Sequence, residues 1–167
     1  MPNWCSNTLT LEGKGAADVA RSLAGEDTVF DFNKVVPMPE LIKHNASGFR
    51  KFDDGTEHKV WYQAEGDDGG KSARPLTEEE QEELKRIGYP SWYEWSIANW
   101  GTKWNASEGT MDITDEEYVD LEFDTAWGPP TAVVEALSEK YPKLYITHFY
   151  DEPGCEILGR NHYGEAA

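Results

Sequence analysis

Carboxylates are the residues of this chain whose number and spacing could do chemistry. From Asp112 to Asp124 the acids are Asp112, Asp115, Glu116, Glu117, Asp120, Glu122 and Asp124, with no Lys or Arg among them. Paired carboxylates can work as general acid and base, yet any two from so dense a run satisfy that template by chance, so abundance removes its specificity. The pattern specifies an electrostatic role instead. Within Val119-Asp120-Leu121-Glu122-Phe123-Asp124 apolar and acidic residues alternate strictly, the period of a half-buried strand. Val119, Leu121 and Phe123 then face a core, and Asp120, Glu122 and Asp124 form a ladder on the other face at about 7 Å per rung. Such a ladder repels nucleic acid and attracts cations, basic peptides or the basic groove of a nucleic-acid-binding protein. Glu78–Glu83 offers a second acidic patch.

Other reactive residue types assemble no motif. Cys5 and Cys155 are isolated, without a CxxC metal pattern or a disulfide framework. A GxSxG elbow and a phosphate-binding loop are both missing. Glu65-Gly66-Asp67-Asp68-Gly69-Gly70 lacks the alternation of a calcium loop. Pairing Tyr150 with Cys155 across a C-terminal hairpin puts His148 and His162 about 16 Å apart, too far to share a zinc ion. No catalytic residue, metal site or cofactor is therefore assigned. Asn99, Trp100, Trp104, Asn105 and Trp127 make a candidate polar and aromatic pocket, although Asn is more commonly a cap or turn residue and clustered indoles commonly close a core.

The elements that must position these residues follow from periodicity and punctuation. Residues 7–12 alternate as a strand, 15–24 read as a short helix, and Val29–Phe32 reads as strand-like before the rigid Val36-Pro37-Met38-Pro39. Residues 44–75 read as an inserted loop or hairpin with one strand at 58–63 and a turn at Gly66–Gly70. Thr77 with Glu80 is a capping box for a helix over 78–87 ended by Gly88, and Ser91 with Glu94 repeats the signature. The acidic strand, a helix over 131–141, a strand over 143–150, a turn at Asp151–Gly154 and a strand over 155–160 complete the chain. With the insertion removed the order is β-α-β, then β-α-β plus a final strand. That order predicts an α+β fold, a ferredoxin-like split βαβ sandwich with an antiparallel sheet and helices on one face. The first half occupies 1–43, an insertion 44–110 and the second half 111–167. RNA-recognition domains of this topology carry stacking aromatics on the open sheet face. Carboxylates in their place argue against direct nucleic-acid binding through the sheet.

Five stretches carry a family likeness: Met1-Pro2-Asn3-Trp4-Cys5-Ser6-Asn7-Thr8-Leu9, Phe32-Asn33-Lys34-Val35-Val36-Pro37-Met38-Pro39, Asn99-Trp100-Gly101-Thr102-Lys103-Trp104-Asn105, Phe123-Asp124-Thr125-Ala126-Trp127-Gly128-Pro129-Pro130 and Tyr150-Asp151-Glu152-Pro153-Gly154. Together they resemble the YubB-type ferredoxin-like proteins of bacterial plasmids and phages, over nearly the whole chain except about 44–75. The resemblance implies the fold and a mobile-element origin, and it brings no catalytic residue.

Whole-chain composition bounds the rest. A formal net charge of -17 over 167 residues sets a negative potential over much of the surface. The mean hydropathy is low, at -0.70. Aromatic content of 13% nevertheless predicts a packed core. No run of about 18 apolar residues exists, and the first residues lack the basic and apolar regions of an export signal, so a cytoplasmic location in a bacterial host is expected. The leading expectation is a non-enzymatic interaction protein of phage or plasmid origin, using Asp112–Asp124 to occupy a basic site on a host protein such as a nucleic-acid-binding defence complex. The alternatives are a small-molecule sensor built on the Trp/Asn pocket and a metal-dependent hydrolase.

Overall fold

The computed structural model describes residues 3–65 and 71–165. The turn expected at Gly66–Gly70 lies outside the described residues. The chain divides into two compact units, one made of 1–37 with 99–167 and the other of 38–98. Residues 38–43 and 99–110 thus fall on the opposite sides of the division from where the sequence placed them.

The first unit is a five-stranded antiparallel sheet in the order β5-β6-β1-β7-β8. Its strands are β1 (Trp4–Glu12), β5 (Gly109–Asp115), β6 (Tyr118–Ala126), β7 (Tyr145–Glu152) and β8 (Ile157–Tyr163). Helices α1 (Ala16–Leu23) and α5 (Thr131–Lys140) fill the two crossovers. Leaving out β8, this is the split βαβ order, with β1 and β6 central. Alternation decides the buried face: Leu9 and Leu11 of β1, Val119, Leu121 and Phe123 of β6 and Ile146 of β7 are buried. Ala16, Ala17, Ala20 and Leu23 of α1 and Val133, Val134 and Leu137 of α5 are also buried. At the start of β5, Gly109 lies against the Glu122 carbonyl so closely that a Cβ would run into it.

Residues 29–32 form no strand. Asp31 caps a short 3-10 turn, Phe32–Lys34, by accepting from Asn33 N, and Phe30 and Phe32 pack edge-on against Phe123 at 5.5 and 6.3 Å. The side-chain cap competes with a ladder for this backbone and wins.

The second unit holds α2 (Glu40–His44), a three-stranded sheet β2-β3-β4 (Asn45–Lys51, Glu57–Glu65, Lys71–Arg74), α3 (Glu78–Ile87) and α4, whose span is Trp92–Asn99. The insertion is therefore more regular than a loop or single hairpin. Helix α3 carries the expected capping box, with Thr77 and Glu80 bonded reciprocally and Gly88 left-handed at its end. Arg74 forks onto the same Glu80 carboxylate at 2.7 and 2.8 Å and, as the main cause, lowers its pKa to about 2.

Candidate functional site

The sheet face opposite α1 and α5 is divided by side-chain type. Strands β5 and β6 present Thr110, Asp112, Asp120, Glu122 and Asp124; β1 presents Ser6, Thr8, Thr10 and Glu12; β7 and β8 present mainly rings and polar groups, Tyr145, Thr147, Phe149, Arg160 and His162, with Asp151 and Leu158 at the far end. Asp112 and Glu122 are exposed, while Asp120 and Asp124 are half-buried. Thr10 donates to Asp120 Oδ1 at 2.6 Å, and Asp112 stands directly opposite Asp120 in the β5–β6 register. The acidic strand thus sits mid-sheet with its carboxylates on the face away from the helices.

The β5–β6 turn puts its acids to other uses. Asp115 accepts from Glu117 N at 2.8 Å and shapes the turn. Glu116 pairs with Arg21 at 3.3 Å, and Glu117 is exposed. Four acids, Asp112, Asp120, Glu122 and Asp124, therefore make the continuous patch. In the second acidic cluster Glu80 is held by Arg74 and Glu82 by Lys85.

The five residues of the candidate Trp/Asn pocket do different jobs. Trp100 is buried, donates to Val36 O at 2.9 Å and packs edge-on against Phe32. Asn105 is a clip: it donates to Asp31 at 2.7 Å and accepts from Phe32 N and Ala106 N. Asn99 is the half-buried last residue of α4. Trp104 and Trp127 turn outward, 40% and 41% exposed, with Lys103 Nζ 4.5 Å from one ring and 5.3 Å from the other. Trp4, which lies outside the candidate pocket read from the sequence, joins Trp104 at 6.3 Å. Trp127 has φ 72, a left-handed conformation uncommon for a bulky side chain. The outcome is an exposed indole and ammonium cluster where β6 ends, since Trp4 pairs with Ala126.

The C-terminal hairpin differs from its expected register. Tyr150 pairs with Gly159, and His148 with Asn161 rather than Ile157. His162 lies opposite Thr147, so the two histidines occupy adjacent rungs on opposite faces. His148 is fully buried and bonds Asn7 Oδ1 at 3.0 Å; His162 lies on the outer face with Tyr145 and Thr147. Burial lowers the His148 pKa to about 4. Among the described residues no group of three or more His, Cys, Asp or Glu is placed to hold a metal ion.

Residues 99–166 match the family model of the ferredoxin-like domain in Api92-like protein. They are an Api92-type ferredoxin-like domain. The chain is also similar to the uncharacterized protein YubB of Escherichia coli (strain K12), 29% identical over 77 residues. That match spans 46% of this chain and 53% of the relative, about half of its length. A crystal structure of a protein Api92 from Yersinia pseudotuberculosis matches with a TM-score of 0.56, covering 98% of this chain and 95% of that one. At 12% identity this is a likeness of fold.

The Api92-type domain contains β5 to β8 and α5, and so all the acids of 112–124 and the five Trp/Asn residues. The central strand β1 comes from outside it. Among the described residues no helix is long and apolar enough to cross a membrane.

Proposed function

We propose that this chain is a non-enzymatic interaction protein of phage or plasmid origin. It docks the acidic half of its open sheet face on the basic, nucleic-acid-binding site of a bacterial host protein, as a defence complex would present. The observation that carries this reading is the patch of Asp112, Asp120, Glu122 and Asp124 on two adjacent strands. Carboxylates recur at about 7 Å along a strand, and neighbouring strands lie about 4.8 Å apart. A rigid array of this kind fits a groove lined by Lys and Arg and steers it by long-range attraction. The exposed indoles of Trp4, Trp104 and Trp127 at the end of β6 add the aromatic anchors common at interface centres. Strands β1 and β6, where a nucleic-acid-binding sheet would carry stacking rings, offer hydroxyls and acids.

The test is capture from bacterial lysate on immobilised chain, followed by elution with salt or duplex DNA and mass spectrometry. A basic nucleic-acid-binding protein released by both is the expected result. The variant Asp120→Lys/Glu122→Lys/Asp124→Lys should not retain it. Asp112→Lys/Glu122→Lys alters only exposed side chains and is the check on folding. Equal retention by both variants and the parent would overturn the reading, as would recovery of no such protein.

A further inference from the structure

Where β6 ends, the chain seats one of its own ammonium groups on two exposed indoles. Lys103 Nζ lies 4.5 Å from the Trp104 ring centroid and 5.3 Å from that of Trp127, so both rings face one point. Trp4, itself 44% exposed, leans on Trp104 with its ring tilted by 38°. Indoles in a fold normally bury most of their area. Here the backbone holds them out. Trp127 N donates to Asn3 O at 2.8 Å, and Thr125 Oγ1 donates to Gly128 O at 2.7 Å, one on each side of the φ 72 turn. Buried Thr102 donates to Trp104 O at 2.6 Å and fixes the second ring's backbone. A bulky residue in the left-handed region costs stability, and such strain collects at ligand clamps.

The distances select a kind of cation. Apolar carbons touch at about 3.5–4.0 Å, and an N–C bond adds about 1.5 Å. A methylated nitrogen therefore rests about 5 Å from a ring, the spacing of the place that Lys103 Nζ takes. A bare ammonium is strongly hydrated, and a planar guanidinium stacks flat and nearer. Charge favours a cation as well. Trp4 faces Ala126, and one rung along the same face Ser6 stands between Asp124 and Asp151. We propose that Trp104 and Trp127, backed by Trp4, form a receptor for a trimethylammonium group, which takes the place of Lys103. Aromatic walls hold quaternary ammonium ions through the ring quadrupole. The receptor needs no protein partner, so it and the reading of the acidic face can fail separately.

Titration of the isotope-labelled whole chain with choline chloride, at constant ionic strength, tests this through the indole N–H signals in NMR. Those of Trp104 and Trp127 should move and saturate, whereas ammonium chloride should give no saturable shift. Trp104→Leu and Trp127→Leu should each weaken binding about fivefold, and Lys103→Ala should tighten it about threefold by emptying the place. Trimethyllysine amide, run beside choline, distinguishes a methylated side chain from a free small cation. Binding of either supports the receptor, and the tighter ligand names the source. Should Trp127→Leu fail to fold, Trp104→Leu and Lys103→Ala still decide. No saturable shift with either ligand, an equal response to ammonium, or affinity unchanged by these substitutions would overturn the proposal.

Discussion

His148 shows how burial sets the behaviour of a single side chain. Its Nε2 bonds Asn7, whose own amide donates to Cys5 O and Thr125 Oγ1 at 2.9 Å each. Nδ1 is buried without a partner among the described residues, and the Tyr150 ring lies 5.2 Å away. A second proton would place a charge there with nothing to solvate it, and desolvation moves the pKa from 6.5 to about 4. Between those values the unfolded chain holds more protons than the folded one, so stability falls as pH drops through that window. The contribution is full above the unfolded pKa and gone below the folded one, with an upper bound of about 3 kcal/mol from the shift. NMR titration should find the imidazole still neutral at about pH 5, and urea midpoints should fall from pH 7 toward that value. A titration midpoint at the ordinary histidine value would refute the assignment.

At the scale of elements, the β5–β6 pair carries a local conflict. Asp112 faces Asp120 directly across the ladder, and like charges so placed cost about 0.2–1 kcal/mol. Asp112→Thr should raise the thermal midpoint by a corresponding amount while weakening capture of the basic partner. A lower midpoint would show that Asp112 holds the edge strand in place. Much of this architecture was legible in the sequence. The Thr77–Glu80 box gives α3 because capping is local, and the alternation of 119–124 gives β6 because one face is buried. The final hairpin misled for a physical reason. Glu152 reads as a turn residue but is buried, stays paired with Ile157, and accepts from Gly154 N and Cys155 N. The strand therefore runs further, and the register moves with it. The Trp/Asn group misled differently, because a sequence cannot tell Trp100, bonded inward to Val36, from Trp104, turned outward.

For the molecule as a whole, a net charge of -17 makes self-repulsion a general term opposing compactness. Salt screens it, with a Debye length near 10 Å at about 0.1 M. Raising ionic strength from low values to that range should therefore raise the melting midpoint and, over the same range, weaken attachment to a basic partner. Opposite signs in one titration separate the two effects. If melting and capture both strengthened with salt, an apolar interface would be indicated and the acidic patch would be incidental.

The chain order of the sheet also bears on its birth. Strand β1 is made first, yet Glu12 must wait for Tyr118 and Ser6 for Asp151 before either neighbour exists. While the ribosome works through 38–98, the future centre of the sheet has no strand to pair with. Long-range pairings of this kind slow folding and leave strand edges open meanwhile. The polar half of β1, Ser6, Thr8 and Thr10, then keeps a waiting strand soluble.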